Sequence, residues 1–286
     1  MLRAAISGDL PAEELYSDRF QEEVLDLCVG CKGCKSDCPT GVDMAKLKTE
    51  VKHQYHQREG SSRREKLFAD IDAWSRLGST FAPVSNWATK LPGARTLMES
   101  LVGIAKEREL PTFTRETLVD WFEARGGPRV PEADAEHRVL LFPDTYTNYS
   151  YPEPGKAAVS VLEAAGVHVQ VPTDLEPSGR ASYSKGFLDT ARERAAANVD
   201  RLQARVDDGF AVVFVEPSDA VMFQDEYRDL LSGPAVERVS DAAYGVCEYL
   251  DVHHLDGELE TPAPESMETL TYHGHCNQKA TNKDHH

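Results

Sequence analysis

The stretch Cys28-Val29-Gly30-Cys31-Lys32-Gly33-Cys34-Lys35-Ser36-Asp37-Cys38-Pro39 places four of the chain's six cysteines within eleven residues. Two residues separate the first three cysteines from one another, three precede the fourth, and a proline follows it at once. Thiolates this close in sequence can wrap one soft metal centre. Gly30 and Gly33 can take φ > 0 and let backbone N–H groups approach the sulfurs, while Lys32 and Lys35 are expected to offset anionic charge there. Pro39 turns the chain away. Zinc could also use four cysteines, but its motifs usually hold two Cys-x2-Cys pairs a dozen or more residues apart. The spacing favours an iron–sulfur cluster and leaves a zinc-stabilised binding module as the alternative.

The run Cys-x2-Cys-x2-Cys-x3-Cys-Pro matches the bacterial ferredoxin pattern, whose fourth Cys serves the neighbouring cluster of a pair. Cys28, Cys31 and Cys34 are therefore expected to hold one [4Fe-4S] cluster and Cys38 to reach towards a second. The fourth ligand of the first cluster must come from elsewhere.

Outward from the run the patterns are helical. Pro11 opens an amphipathic stretch that carries Val24, Leu25 and Leu27 up to Cys28. Downstream, Met44, Leu47 and Val51 recur at i, i+3 and i+7 behind Asp43, a suitable N-cap. Further helices are expected over 63–77 and 95–106. The segment 126–136, rich in Gly, Pro and acid, reads as a linker between a domain over 1–125 and another over 137–286. Beyond it, short apolar strands at 139–142, 167–171 and 211–215, with another at 270–272, alternate with helices at 156–165, 188–206, 222–231 and 236–250. Such alternation implies a parallel sheet covered by helices, with functional residues in loops at the carboxyl ends of the strands.

Three segments fall in such loops: 143–149, 216–219 and His273-Gly274-His275-Cys276. The last gathers two imidazoles and a thiol, suited to a metal or an anion, or serving only as a polar loop. Asp219 reads as a cap for the helix after it. Cys247, on an apolar helical face, is expected in the core.

The chain carries 48 Asp and Glu against 31 Lys and Arg, a net charge of -17 over 286 residues. An acidic surface fits a protein kept soluble in concentrated salt, as in a halophile, or an acidic mesophilic one, and it argues against nucleic acid, whose phosphates demand a basic footprint. No stretch approaches the ~20 apolar residues of a membrane helix. No secretory signal is visible in MLRAAISGDLPAEEL, so the chain is expected in the cytoplasm or peripherally at the inner face of the membrane.

Together these segments resemble the iron–sulfur, cysteine-rich-domain portion of FAD-linked 2-hydroxyacid oxidoreductases such as D-lactate and glycolate dehydrogenases. The resemblance rests on 25–48 around the cysteine run and on segments like Phe142-Pro143-Asp144, Gly179-Arg180, Glu216-Pro217-Ser218 and 273–279. It implies an α plus α/β fold: a helical ferredoxin-like domain followed by a parallel α/β domain of cysteine-rich type, C-terminally incomplete. It also implies an electron-transfer module that passes electrons from FAD, on a partner domain or subunit, to an acceptor such as a quinone. A heterodisulfide-reductase-like redox subunit is the alternative. Two departures stand out. Pro177-Ser178-Gly179 replaces the family's Cys-Cys-Gly element, and Asp219 stands where a Cys usually follows Glu-Pro-Ser. A second iron–sulfur centre in the α/β domain is therefore not expected, although Asp219 beside His273, His275 and Cys276 could form another metal site. The family's upstream cysteine group, its FAD-binding domain and a second Cys-Cys-Gly element all lie outside this sequence, which suggests a fragment or one piece of a split gene.

Overall fold

Val139, Leu140 and Leu141 are fully buried because both faces of their strand are covered. They form the centre of a computed structural model that describes residues 4, 7–259 and 271–281. Their strand, β1 (Arg138–Leu141), lies in a four-stranded sheet of order β2-β1-β3-β4, with β2 at His168–Gln170, β3 at Phe210–Phe214 and β4 at Ala243–Gly245. All neighbours are parallel: Arg138 sits opposite both His168 and Phe210, and Phe214 opposite Gly245. The described chain is otherwise mainly helical, an α plus α/β architecture.

Alternate residues of β1 and β3 feed two cores. Leu140, Phe142, Val212 and Phe214 pack under the Leu188–Asp207 helix and the helical run from Pro217 to Asp241. There Phe142, Phe214, Phe223 and Tyr227 interlock, with ring centroids 4.2–5.4 Å apart between neighbours. On the other face Val139, Leu141 and Val213 meet Val159 and Leu162 of the Pro152–Ala164 helix. Leu118 and Phe122 of the Leu118–Ala124 helix are buried in this same core.

Three sequence expectations change. The helix expected over 236–250 is interrupted: it stops at Asp241, Ala243–Gly245 pairs with β3, and a new helix runs Val246–Val252. Three residues carry too little periodicity to be separated from a helix. The strand expected over 270–272 is not seen; Leu270 lies outside the described residues, and Thr271 and Tyr272 have no regular structure. The helix expected over 63–77 is two, Arg63–Ala69 and Ile71–Thr80, parted at Asp70.

The helical region docks directly on the α/β region. The Met44–Glu59 helix, capped by the Asp43 side chain accepting from Ala45 N and Lys46 N, brings His53 Nδ1 to 3.1 Å from Gly186 O. Gly186 has φ +80°, and a Cβ there would lie 3.0 Å from Lys52 Cβ and 3.1 Å from His53 N. Both the backbone conformation and the close approach require glycine. Gly186→Ala is expected to cost about 2–3 kcal/mol, from left-handed strain plus overpacking, read as a lowered urea midpoint with an unchanged slope.

Candidate functional site

The cysteine run is shaped by two left-handed residues, Gly30 at φ 72° and Lys32 at φ 57°, that turn the chain into the short Gly33–Asp37 helix. Cys28 and Cys31 precede this helix, Cys34 lies on it and Cys38 ends it. All four thiols are half-buried. Cys34 Sγ accepts the Met44 N–H at 3.3 Å, and Cys28 O accepts from Lys48 Nζ at 2.6 Å. The Thr40 hydroxyl, 3.2 Å from Cys38 Sγ, together with the backbone N–H groups of Val42 and Thr40, lowers the Cys38 thiol to about 7. Among the described residues no three His, Cys, Asp or Glu side chains are placed to share one metal ion.

Lys32, in the middle of the run, points into the protein and is 2% exposed. Its ammonium lies 2.6 Å from Asp225 Oδ2, 2.7 Å from Glu226 Oε1 and 3.8 Å from Asp43 Oδ2. Lys35 reaches Asp225 at 3.2 Å, and Arg180 reaches the fully buried Glu226 at 2.9 Å. Asn277, with its amide oriented to suit its neighbours, donates to Gly30 O at 3.0 Å and accepts from Arg180 Nη2 at 2.7 Å. The lysines expected to offset charge at the thiols are thus engaged by carboxylates of the α/β region. Burial acts to raise the Asp225 pKa, but Lys32, then Lys46 and Lys35, outweigh it and hold the carboxyl at about 2.

Sheet order reverses between β1 and β3, so the loops after these strands diverge and open a crevice at their carboxyl ends. Three carboxylates converge there. Asp144 caps the Thr145–Tyr149 helix through Tyr146 N and Thr147 N, and its Oδ2 has no partner among the described residues. Asp219 is not the expected cap. Glu216 caps the Pro217–Val221 helix by accepting from Ser218 N, while Asp219 lies buried in that helix and accepts from Ser178 Oγ. Burial, then the Asp144 charge, pushes Asp219 up to about 8. His275 Nε2 sits 3.3 Å from Ser218 Oγ, and burial holds its imidazole below the usual range. Cys276 is exposed at the start of the Cys276–Ala280 helix, and His273 is exposed before it. The four residues proposed as another metal site, Asp219, His273, His275 and Cys276, therefore differ widely in burial. Cys247 is also exposed, because Glu248, Tyr249 and Leu250 take the inward positions of its helix. Beside the crevice a cleft of about 270 Å³ separates Phe68 and Ile71 from Arg180, Arg194 and Asp219.

One subunit of the anaerobic glycerol-3-phosphate dehydrogenase of Escherichia coli (strain K12) is 28% identical over 172 residues, 60% of this chain and 43% of that protein. D-2-hydroxyglutarate dehydrogenase of Haemophilus influenzae is 25% identical over 220 residues, 74% of this chain and 21% of that protein. These relatives are redox proteins. A probable glycolate oxidase iron-sulfur subunit of Bacillus subtilis (strain 168) adds 23% identity over 286 residues, 91% of this chain and 60% of the relative. The chain spans less than two thirds of the length of each of these three. No protein-family model matches it, and no solved structure matches significantly.

The donor set suits an iron–sulfur cluster. Four soft thiols lie on one loop, a backbone N–H already points at the Cys34 sulfur, one thiol is tuned towards thiolate, and a side chain built at Gly30 would meet open space. Sequence reasoning missed Asp225 and Glu226, which belong to no motif. Arg180 and Asn277 fell inside segments singled out by resemblance, but with no partner assigned.

Proposed function

We propose that this chain is the iron–sulfur electron-transfer module of an FAD-dependent dehydrogenase acting on a D-2-hydroxy acid of the lactate or glycolate type. Cys28, Cys31 and Cys34 would hold one [4Fe-4S] cluster, and Cys38 would serve a neighbouring one. A bound cluster supplies one-electron chemistry, accepting from a flavin on another domain or subunit and passing charge to an acceptor such as a quinone. The observation that carries the proposal is the Cys28–Cys38 loop, with the Met44 N–H directed at Cys34 and the loop tied to the α/β region through Lys32. The relatives' names, two dehydrogenases and an oxidase iron-sulfur subunit, support it. No side chain of the described residues is assigned to the chemistry of the hydroxy acid; that step belongs to the flavin part.

Iron and sulfide content after anaerobic purification, with electron paramagnetic resonance of the reduced protein, tests this. The chain is expected to carry iron, and Cys31→Ala to lose a cluster signal. One zinc per chain without iron, or an unchanged spectrum in the variant, would overturn the assignment.

A further inference from the structure

Another cleft, of about 380 Å³, opens where the Asp18–Phe20, Met44–Glu59 and Arg63–Ala69 helices meet Lys185, at the end of the Arg180–Ser184 helix. Gln21 lines it. This residue is 9% exposed, yet neither its amide nitrogen nor its amide oxygen has a partner among the described residues. An amide offers two donors and an acceptor, and burying all of them unpaired is costly unless something enters to meet them. Asn148 and Asn198, at least as buried, are both bonded within the chain. Gln21 is the exception, and it borders open space.

Two cations line the same cleft without a carboxylate. The half-buried Lys185 holds its ammonium 5.5 Å from the centroid of the Phe68 ring, and the exposed Arg64 lies over that ring at 5.9 Å. Neither makes an ion pair among the described residues, although acids outnumber bases 48 to 31 in the chain. Burial, then the charges of Lys52, Arg64 and Lys48, pushes the Lys185 ammonium below its ordinary range, and among the main influences only Glu65 opposes this. The carboxylates of the cleft are committed elsewhere or lie open to solvent. Glu65 is held by Lys52 at 2.9 Å and by the N–H and hydroxyl of Ser62, and Asp18 accepts from the Tyr55 hydroxyl. Asp26, 3.9 Å from Lys52, and Glu22 are exposed. A guest that answers all three unpartnered side chains is an oxyanion for Lys185 and Arg64 that also bears a hydroxyl, so that Gln21 can both donate to it and accept from it. Hydrogen phosphate and small hydroxycarboxylates share this chemistry.

We propose that this cleft is a binding site for a small hydroxyl-bearing oxyanion, held by Lys185 and Arg64 and read by the Gln21 amide. The proposal does not depend on a bound cluster. Isothermal titration of the full chain with inorganic phosphate, and separately with lactate, tests it, with potassium chloride at equal ionic strength as the control. Saturable binding of at least one of the two anions is expected, and the one that binds names the source. Arg64→Gln combined with Lys185→Gln should weaken that binding at least tenfold. Gln21→Met keeps the side chain's bulk and removes the unpartnered amide, so it should weaken binding several-fold while raising the unfolding midpoint of the anion-free chain. Unchanged circular dichroism would show that the variants remain folded. No saturable binding of either anion, an equal response to chloride, undiminished affinity in the double variant, or a Gln21→Met chain that is more stable but binds as tightly as the wild type would each overturn it.

Discussion

Lys32→Met is expected to destabilise the chain by about 3–5 kcal/mol, because it removes one partner from a buried charge network and leaves the others in place. Glu226 is fully buried, and its Oε2 already has no partner among the described residues; without Lys32 it keeps Arg180 at 2.9 Å. Asp225 would retain only the half-buried Lys35 and Lys46. Lys32→Met combined with Glu226→Gln should recover a large part of the loss, since the second change removes the stranded charge. Urea denaturation of the wild type, both single variants and the double variant gives the coupling directly. Strictly additive losses would rule the network out. The depressed Asp225 pKa adds a pH signature. A carboxyl held at about 2 contributes stability above its unfolded value near 4, and that contribution is lost as pH falls through 2. The wild type should therefore weaken between pH 4 and pH 2.

Asp219 gives the opposite slope. Its folded pKa of about 8 lies above the ordinary carboxylate value, so the folded state keeps a proton that the unfolded state releases. Stability should fall as pH rises from about 4 to about 8 and level off beyond. Asp219→Asn retains an acceptor for Ser178 and removes the buried charge. It is expected to add roughly 5 kcal/mol at pH 9 and almost nothing at pH 4. Denaturation midpoints across that range would show it, and parallel pH profiles for the two proteins would contradict it.

The central strands were legible because Val139–Phe142 and Ala211–Val215 are unbroken apolar runs, as expected of strands buried on both faces. Ala243–Gly245 was not, since its assignment comes from the free edge of β3 and not from its own pattern. The helix through Trp74 was legible as a helix but not in its orientation. Phe113 and Thr114, more than thirty positions away, occupy the space against its small residues. The spacing of the cysteine run was by itself enough to raise the iron–sulfur proposal. The role of Lys32 did not follow, because an ion pair to residues about 190 positions downstream leaves no local trace.

The knot at Lys32 has a practical consequence for dividing the gene. Residues 126–136 look like the natural place to cut, but a cut there would separate Lys32 from Asp225 and Glu226, Arg194 from Asp70 and Asp72, and Ser182 from the Ala69 carbonyl. Each half expressed by itself would carry into water a face built to be dry and paired. The two halves are better treated as one folding unit whose thinnest covalent point is not its weakest joint.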